Sequence, residues 1–248
     1  MQGYDSITRQ FILNENTPSV ITEAYSKIRT NLIAGLSGNP YPSVVVTSQC
    51  REEGKTTTAI NIALSFSRLD KRVLLIDADL RRSGIHETLR LKNRFGLSTI
   101  LTRESDIYNG ICRDVRKNFH VMPSGPHLNN PSDILGSAET ERLVRMLYDY
   151  YDYIIIDTPP LCIANDSLLF GGYTGGTALV LRENKTTHSE LKAALSTISL
   201  SKAKFLGIIK THCSLKYDRS GDYRTAIEDA GGSVEEEEGL SDEDVLED

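Results

Sequence analysis

The sequence predicts an α/β fold, a single domain with a mainly parallel central sheet flanked by helices on both sides. Two features carry that expectation. Five short apolar runs are continuous instead of alternating, the pattern of strands covered on both faces. Segments with helical spacing fall between them, and strand and helix in alternation build a parallel sheet. At 248 residues, with 39% hydrophobic and 25% charged side chains, the chain is long and apolar enough to bury one sizeable core.

The first element is an amphipathic helix over 22–36, with Tyr25, Ile28, Leu32 and Leu36 along one face and Glu23, Lys27 and Arg29 elsewhere. It precedes the sheet pattern, so residues 1–40 are read as an N-terminal arm and helix. Strands are expected at SVVVT (43–47), VLLI (73–76), YIII (153–156), TALVL (177–181) and FLGII (205–209), within a domain spanning 41–213. Helices are expected over 57–69, 139–150 and 189–198. Beyond Ser214 apolar side chains are few and the chain ends in EEEEGLSDEDVLED. That composition cannot offset its ordering entropy, so 214–248 is expected to be a mobile tail.

The net charge is −6, yet nine of the acids lie in the last fourteen residues, and without them the balance is +3. A mildly basic body with an acidic tail argues against a nucleic-acid coat and permits a local anion site. Neither a membrane span nor a secretory leader is visible, so a cytosolic protein is expected. The four cysteines, Cys50, Cys112, Cys162 and Cys213, show no C-x-x-C spacing and are read as reduced thiols.

Chemistry concentrates where strands end. TSQCREEGKTTT (47–58) follows the first strand and opens a helix. In such a turn the backbone N–H groups of Glu53, Gly54, Lys55, Thr56 and Thr57 wrap phosphates. Lys55 reaches the outer ones, and the Thr56 hydroxyl can ligate Mg²⁺. The second strand ends in Asp77-Ala78-Asp79 and the third in Asp157, acids at the carboxyl edge where open α/β sheets bind ligands. A lone acid there often caps a helix. Three at one edge, beside Gly54-Lys55-Thr56, point instead to a nucleotide–Mg²⁺ site.

From about Ile21 to Lys210 the chain resembles the bacterial protein tyrosine kinases of capsule and exopolysaccharide synthesis, which use P-loop machinery. The matching segments are EAYSKIRTNL (23–32), VVVTSQCREEGKTTTAINIA (44–63), VLLIDADLRRSGIH (73–86), GLSTIL (96–101), MPSGPHLNNPSDILGS (122–137), YDYIIIDTPP (151–160), Asp166 and LVLRENKT (179–186). The resemblance makes Lys55 and Thr56 the Walker A pair, Asp77 and Asp79 the Walker A-prime acids, and Asp157 the Walker B acid. It implies ATP and Mg²⁺ as cofactors, Asp77 and Asp157 as the acids that serve the metal, Asp79 as the base or orienter of a tyrosine hydroxyl, and Lys55 as the group that neutralises the transferring phosphoryl. It further implies a membrane-bound chain-length regulator as activator, which would recruit the protein to the inner face of the membrane.

Several positions depart from the family pattern. Arg51 and Glu52 replace Pro and the first Gly of Pro-Gly-x-Gly-Lys, which sets a carboxylate near a polyanion. The self-association motif E-x-x-R-x-x-R reads Glu23, Ser26, Arg29, so homo-oligomers are expected to be weaker. Only Tyr217 and Tyr223 lie past the last strand as phosphoacceptors, and the acidic tail is expected to imitate a phosphorylated cluster. Thr211 stands where an Asn would meet the base. Cys50 replaces the signature Lys of related positioning and partition ATPases; beside a helix N-terminus it is either a reactive thiolate or inert packing. The tyrosines of YDYYDY (148–153) are read as structural. An active autokinase and a nucleotide-binding regulator with impaired phosphotransfer are the two functions these residues allow.

Overall fold

Strand and helix alternate as expected, and the computed structural model, which describes residues 11–213, gathers the strands into one seven-stranded sheet. The strands are β1 (Ser43–Ser48), β2 (Val73–Asp77), β3 (Cys112–Arg116), β4 (Phe119–Met122), β5 (Tyr153–Asp157), β6 (Gly176–Arg182) and β7 (Phe205–Thr211), ordered β3-β4-β2-β5-β1-β6-β7. Every pairing is parallel except β3 with β4. The tail residues Tyr217 and Tyr223, with the acidic run, lie outside the described residues.

Side-chain parity divides the core. Val44, Val46, Val73, Leu75 and Ile155 face one side, where α1 (Ser19–Leu36) and α2 (Lys55–Ser67) cover them with Leu32, Leu36, Ile60 and Phe66. Val45, Leu74, Ile76, Ile154 and Ile156 face the other, against α6 (Ala138–Leu147) through Leu143, Val144 and Leu147. On that second side α8 (His188–Ile198) sets Ala194 and Ile198 against Leu179 and Leu181 of β6. Helix α1 therefore shares the main core, although the sequence pattern set it apart.

Some boundaries moved for physical reasons. Helix α2 begins at Lys55, two residues early, because Gly54 in the left-handed region forms its N-cap; it ends before Asp70, which also has positive φ. Helix α6 stops at Leu147, and the tyrosines that follow form a turn in which Tyr151 N–H still donates to Leu147 O at 3.1 Å. Strand β7 is an edge strand with Phe205 and Ile208 partly exposed, not a strand covered on both faces as its continuous apolar run implied. The β3–β4 hairpin and the short helices α3 (Ile85–Leu89), α4 (Leu97–Leu101), α5 (Pro131–Leu135) and α7 (Asp166–Leu169) were not anticipated.

A candidate nucleotide site at the carboxyl edge of the sheet

The register of two neighbouring strands creates the site. β2 and β5 pair in parallel with Asp77 opposite Asp157, and both side chains continue the parity of Leu75 and Ile155 toward α2. Like charges placed side by side on adjacent strands are destabilising. Both carboxylates are also buried, which adds a desolvation cost.

Lys55, the first residue of α2, lies across these acids. Its ammonium is 3.2 Å from Asp79 Oδ2 and 3.3 Å from Asp157 Oδ1, and donates to Thr56 Oγ1 at 3.2 Å. The Thr56 hydroxyl in turn donates to Asp157 Oδ2 at 2.7 Å. Burial pulls the Lys55 pKa down, but Asp157, Asp79 and Asp77 together push it above the ordinary lysine value, so the group stays charged. Burial, and then the like charge of Asp157, hold the Asp77 carboxyl well above the usual range against the opposing pull of Lys55. Asp157 is raised by burial too, against Lys55 and Thr56. Asp77 also organises the backbone: its oxygens accept Asp79 N–H at 3.2 Å and Ile85 N–H at 3.3 Å. Asp79 Oδ1 accepts Arg82 N–H at 3.0 Å.

One ammonium against three carboxylates leaves negative charge uncompensated, and a buried surplus of that sign fits a cation. Thr56, Asp77 and Asp157 supply hard oxygen donors. Among the described residues no set of three or more His, Cys, Asp or Glu is arranged to hold a metal ion. Hard oxygen donors of this kind suit Mg²⁺, which keeps water and phosphate oxygens in its shell and takes few ligands from protein. The first-turn N–H groups of α2, from Lys55, Thr56 and Thr57, have no helical acceptor by geometry and suit phosphate oxygens.

The rim of the loop shows how the unusual residues are accommodated. Glu52 takes φ 63°, the left-handed conformation for which Gly is favoured. Its side chain is exposed and pairs with Lys185 at 3.5 Å, on the rim of the loop. Glu53 is turned inward and buried. Its carboxylate accepts Cys50 N–H at 2.7 Å and the Thr186 hydroxyl, while its carbonyl accepts Thr211 Oγ1 at 2.7 Å. Gly54 has φ 86°, and a Cβ there would meet Thr211 at 3.4 Å. Thr211 thus braces the loop from β7. Burial, with Cys162 and Glu190 nearby, pushes the Cys50 thiol up to about 12, so it rests protonated and not as a thiolate.

Arg81 is held by Asp166 (3.3 Å) and by Ser132 Oγ (2.7 Å), and Ser132 donates to Asp166 at 2.5 Å. This triad ties the Asp77–Asp79 loop to α5 and α7, and Arg81 and Ser132, with Asn129, Asn130 and Asp133, line an open polar pocket of about 220 Å³. No local spacing signals the Glu53 brace or this triad, since each joins distant segments. In the tyrosine-rich turn, Tyr148 donates to Tyr173 O at 2.8 Å, Tyr151 bonds His120 at 2.9 Å and Tyr153 packs on Phe66. Those three are structural, as expected. On α1, Ser26 bonds back to Thr22 O at 3.0 Å, and Arg29 donates to Ser65 O at 2.7 Å, within the chain.

A strand–loop–helix phosphate cradle with acids on two neighbouring strands defines a P-loop nucleotide-binding protein. The family profile for an AAA domain matches residues 44–170. Tyrosine-protein kinase YwqD of Bacillus subtilis is 34% identical over 218 residues, covering 88% of this chain and 92% of that protein. Among solved structures, the chimerical protein CapA2B2 superposes with a TM-score of 0.75 at 31% identity, over 79% of this chain and 86% of the other. The kinase domain of Escherichia coli tyrosine kinase ETK gives 0.73 at 26% identity, over 81% and 80%. The chain belongs to the bacterial protein tyrosine kinases of capsule and exopolysaccharide synthesis.

Proposed function

We propose that the chain is an ATP- and Mg²⁺-dependent protein-tyrosine autokinase that regulates polysaccharide synthesis and export. The observation that carries the reading is the Lys55 ammonium lying 3.2 Å from Asp79 and 3.3 Å from Asp157 at the N-terminus of α2. Bound ATP with Mg²⁺ supplies the phosphoryl group and the cation that shields its charge. Lys55 neutralises the phosphoryl oxygens, and the first-turn N–H groups orient the triphosphate. Asp79, with one oxygen anchored by Arg82 N–H, accepts the proton of the attacking tyrosine hydroxyl. Thr56, Asp77 and Asp157 hold the cation.

Tyr217 and Tyr223 are the proposed acceptors. The proposed activator is a membrane-bound chain-length regulator that recruits the chain to the inner face of the membrane. Among the described residues no helix is long and apolar enough to cross a membrane, in keeping with an anchor supplied by a partner. Self-association through Glu23 and Arg29 is proposed to be weak, because Ser26 replaces an arginine and Arg29 is engaged with Ser65.

The test is phosphotyrosine mapping after incubation with ATP and Mg²⁺, with and without a candidate activator segment. Lys55→Met is expected to lower phosphate incorporation by roughly 10²- to 10³-fold, the scale of losing one preorganised charge-stabilising group. Phosphate on Tyr217 or Tyr223 in wild type only supports the kinase. Nucleotide binding with no phosphate incorporated, in either condition, supports the regulator, for which the glutamate at position 52 is the favouring feature.

A further inference from the structure

Two of the four cysteines, far apart along the chain, meet beside the phosphate loop. Leu161 N–H donates to Ser48 O at 2.8 Å and Cys162 N–H to Gln49 O at 3.0 Å, which sews the segment after β5 to the start of the loop. Gln49 immediately precedes Cys50. Standard backbone dimensions across that second bond limit the Cys50 and Cys162 Cα atoms to roughly 7 Å apart, and disulfides span about 4.4–6.8 Å. The Cys162 thiol is also close enough to help raise the pKa of the Cys50 thiol.

The pair is asymmetric. Cys162 is exposed and Cys50 half-buried. The Cys50 thiol donates to Glu190 Oε1 at 3.5 Å, while Glu190 Oε2 closes the capping box of α8 with Thr187. An accessible sulfur beside a shielded one is the arrangement of an attacked and a resolving thiol.

We propose that Cys50 and Cys162 form a reversible disulfide when the protein meets a peroxide. The Cys162 sulfur attacks one peroxide oxygen and the O–O bond breaks, giving a sulfenic acid and one water. The Cys50 sulfur then attacks the Cys162 sulfur, the S–O bond breaks, and the hydroxyl leaves as a second water with the Cys50 proton, relayed through Glu190. Peroxide is reduced and the dithiol is oxidised by two electrons; an external dithiol reverses the change. The bond draws Cys50 away from Glu190 and strains the Cys50 N–H contact to Glu53, which shapes the loop. Nucleotide affinity falls in consequence, a step that rests on the proposed function, whereas the disulfide itself does not.

The full chain, freed of reductant, is titrated with hydrogen peroxide, alkylated, digested and mapped by mass spectrometry. The expected result is loss of two of four alkylatable thiols, a Cys50–Cys162 linked peptide, and recovery with dithiothreitol. Cys50→Ser should leave Cys162 trapped by a sulfenic-acid probe. Cys162→Ser should protect Cys50, and Cys112→Ser and Cys213→Ser should behave as wild type. Cys162 oxidised without a link in wild type, or links through Cys112, Cys213 or a second copy, would overturn the proposal. Binding of a fluorescent ATP analogue should weaken at least fivefold on oxidation and recover on reduction. If the link forms and affinity is unchanged, the coupling to the loop is wrong. If the reduced protein binds no nucleotide, the functional reading fails and the disulfide stands.

Discussion

At the floor of the cleft, Lys55, Thr56, Asp79 and Asp157 are bonded to one another, with Asp77 beside them in register. At the rim, Glu52 points outward to Lys185, and Thr211 props the loop from the edge strand. The floor is a bonded set of charges centred on Lys55, whose removal would strand the carboxylates. The rim depends on backbone shape, so a side chain there can change if it leaves the cleft. This explains how a chain keeps all the acids of its family while replacing the first glycine of the loop.

The comparison breaks most readily at Glu53, which lies between the two regions. Its buried carboxylate accepts Cys50 N–H and the Thr186 hydroxyl, so Glu53→Ala leaves two half-buried donors without their acceptor. A loss of about 3 kcal/mol is expected from two hydrogen bonds to a charged acceptor, or roughly 6–12 °C in Tm for a domain of this size. Calorimetry checks it. A drop within about 2 °C would mean that the loop holds its shape without this brace.

The floor is sharpened by its pH dependence. The Asp77 carboxyl titrates well above the usual range because of burial and then of Asp157, whereas in the unfolded chain it titrates near about 3.9. A raised folded value means that the neutral form stabilises the fold. That contribution is complete below the unfolded value and is lost as pH rises through the folded one. Thermal stability of the ligand-free protein should therefore improve as pH falls from 8 toward the raised value. Asp77→Asn, neutral throughout, should flatten that slope and raise Tm at pH 8 by roughly 3–6 °C, while impairing Mg²⁺-dependent phosphotransfer. Paired melts at pH 6 and 8 measure both effects; a lower Tm for the variant at pH 8 would show that the hydrogen bonds to Ile85 and Asp79 outweigh the charge.

The two regions were not equally legible in the sequence. Continuous apolar runs marked β1, β2, β5 and β6 because those strands are buried on both faces, and the floor acids could be read from their place at strand ends. Strands β3 and β4 are not visible in the sequence because CRDVR is short and charged and FHVM, between β3 and β2, is only four residues long. The clamps Glu53–Thr186 and Arg81–Ser132–Asp166 are hidden for another reason. Each joins segments that only the fold brings together, and no local spacing encodes such a contact. The substitution at Glu52 could be seen, but its consequence depended on where Lys185 lies.

Glu52 gives the smallest effect and the finest test of the rim. Its left-handed backbone costs about 1 kcal/mol for a residue with a Cβ. Glycine would relieve that strain but lose a similar ~0.5–1 kcal/mol to the greater freedom of the unfolded chain. The exposed pair with Lys185 adds between about 0 and 1 kcal/mol. These terms nearly cancel, so Glu52→Gly should leave Tm within about 3 °C of wild type. Nucleotide binding should respond differently, because the variant removes a negative charge from the rim and frees Lys185 to face the phosphates. A screened charge change worth about 0.7 kcal/mol corresponds to roughly threefold tighter ATP binding. The gain should shrink at high salt if its origin is electrostatic. Titration calorimetry at two ionic strengths separates the cases: a gain that ignores salt would assign the effect to loop geometry, and a gain of a hundredfold would mean that Glu52 reaches the cleft after all.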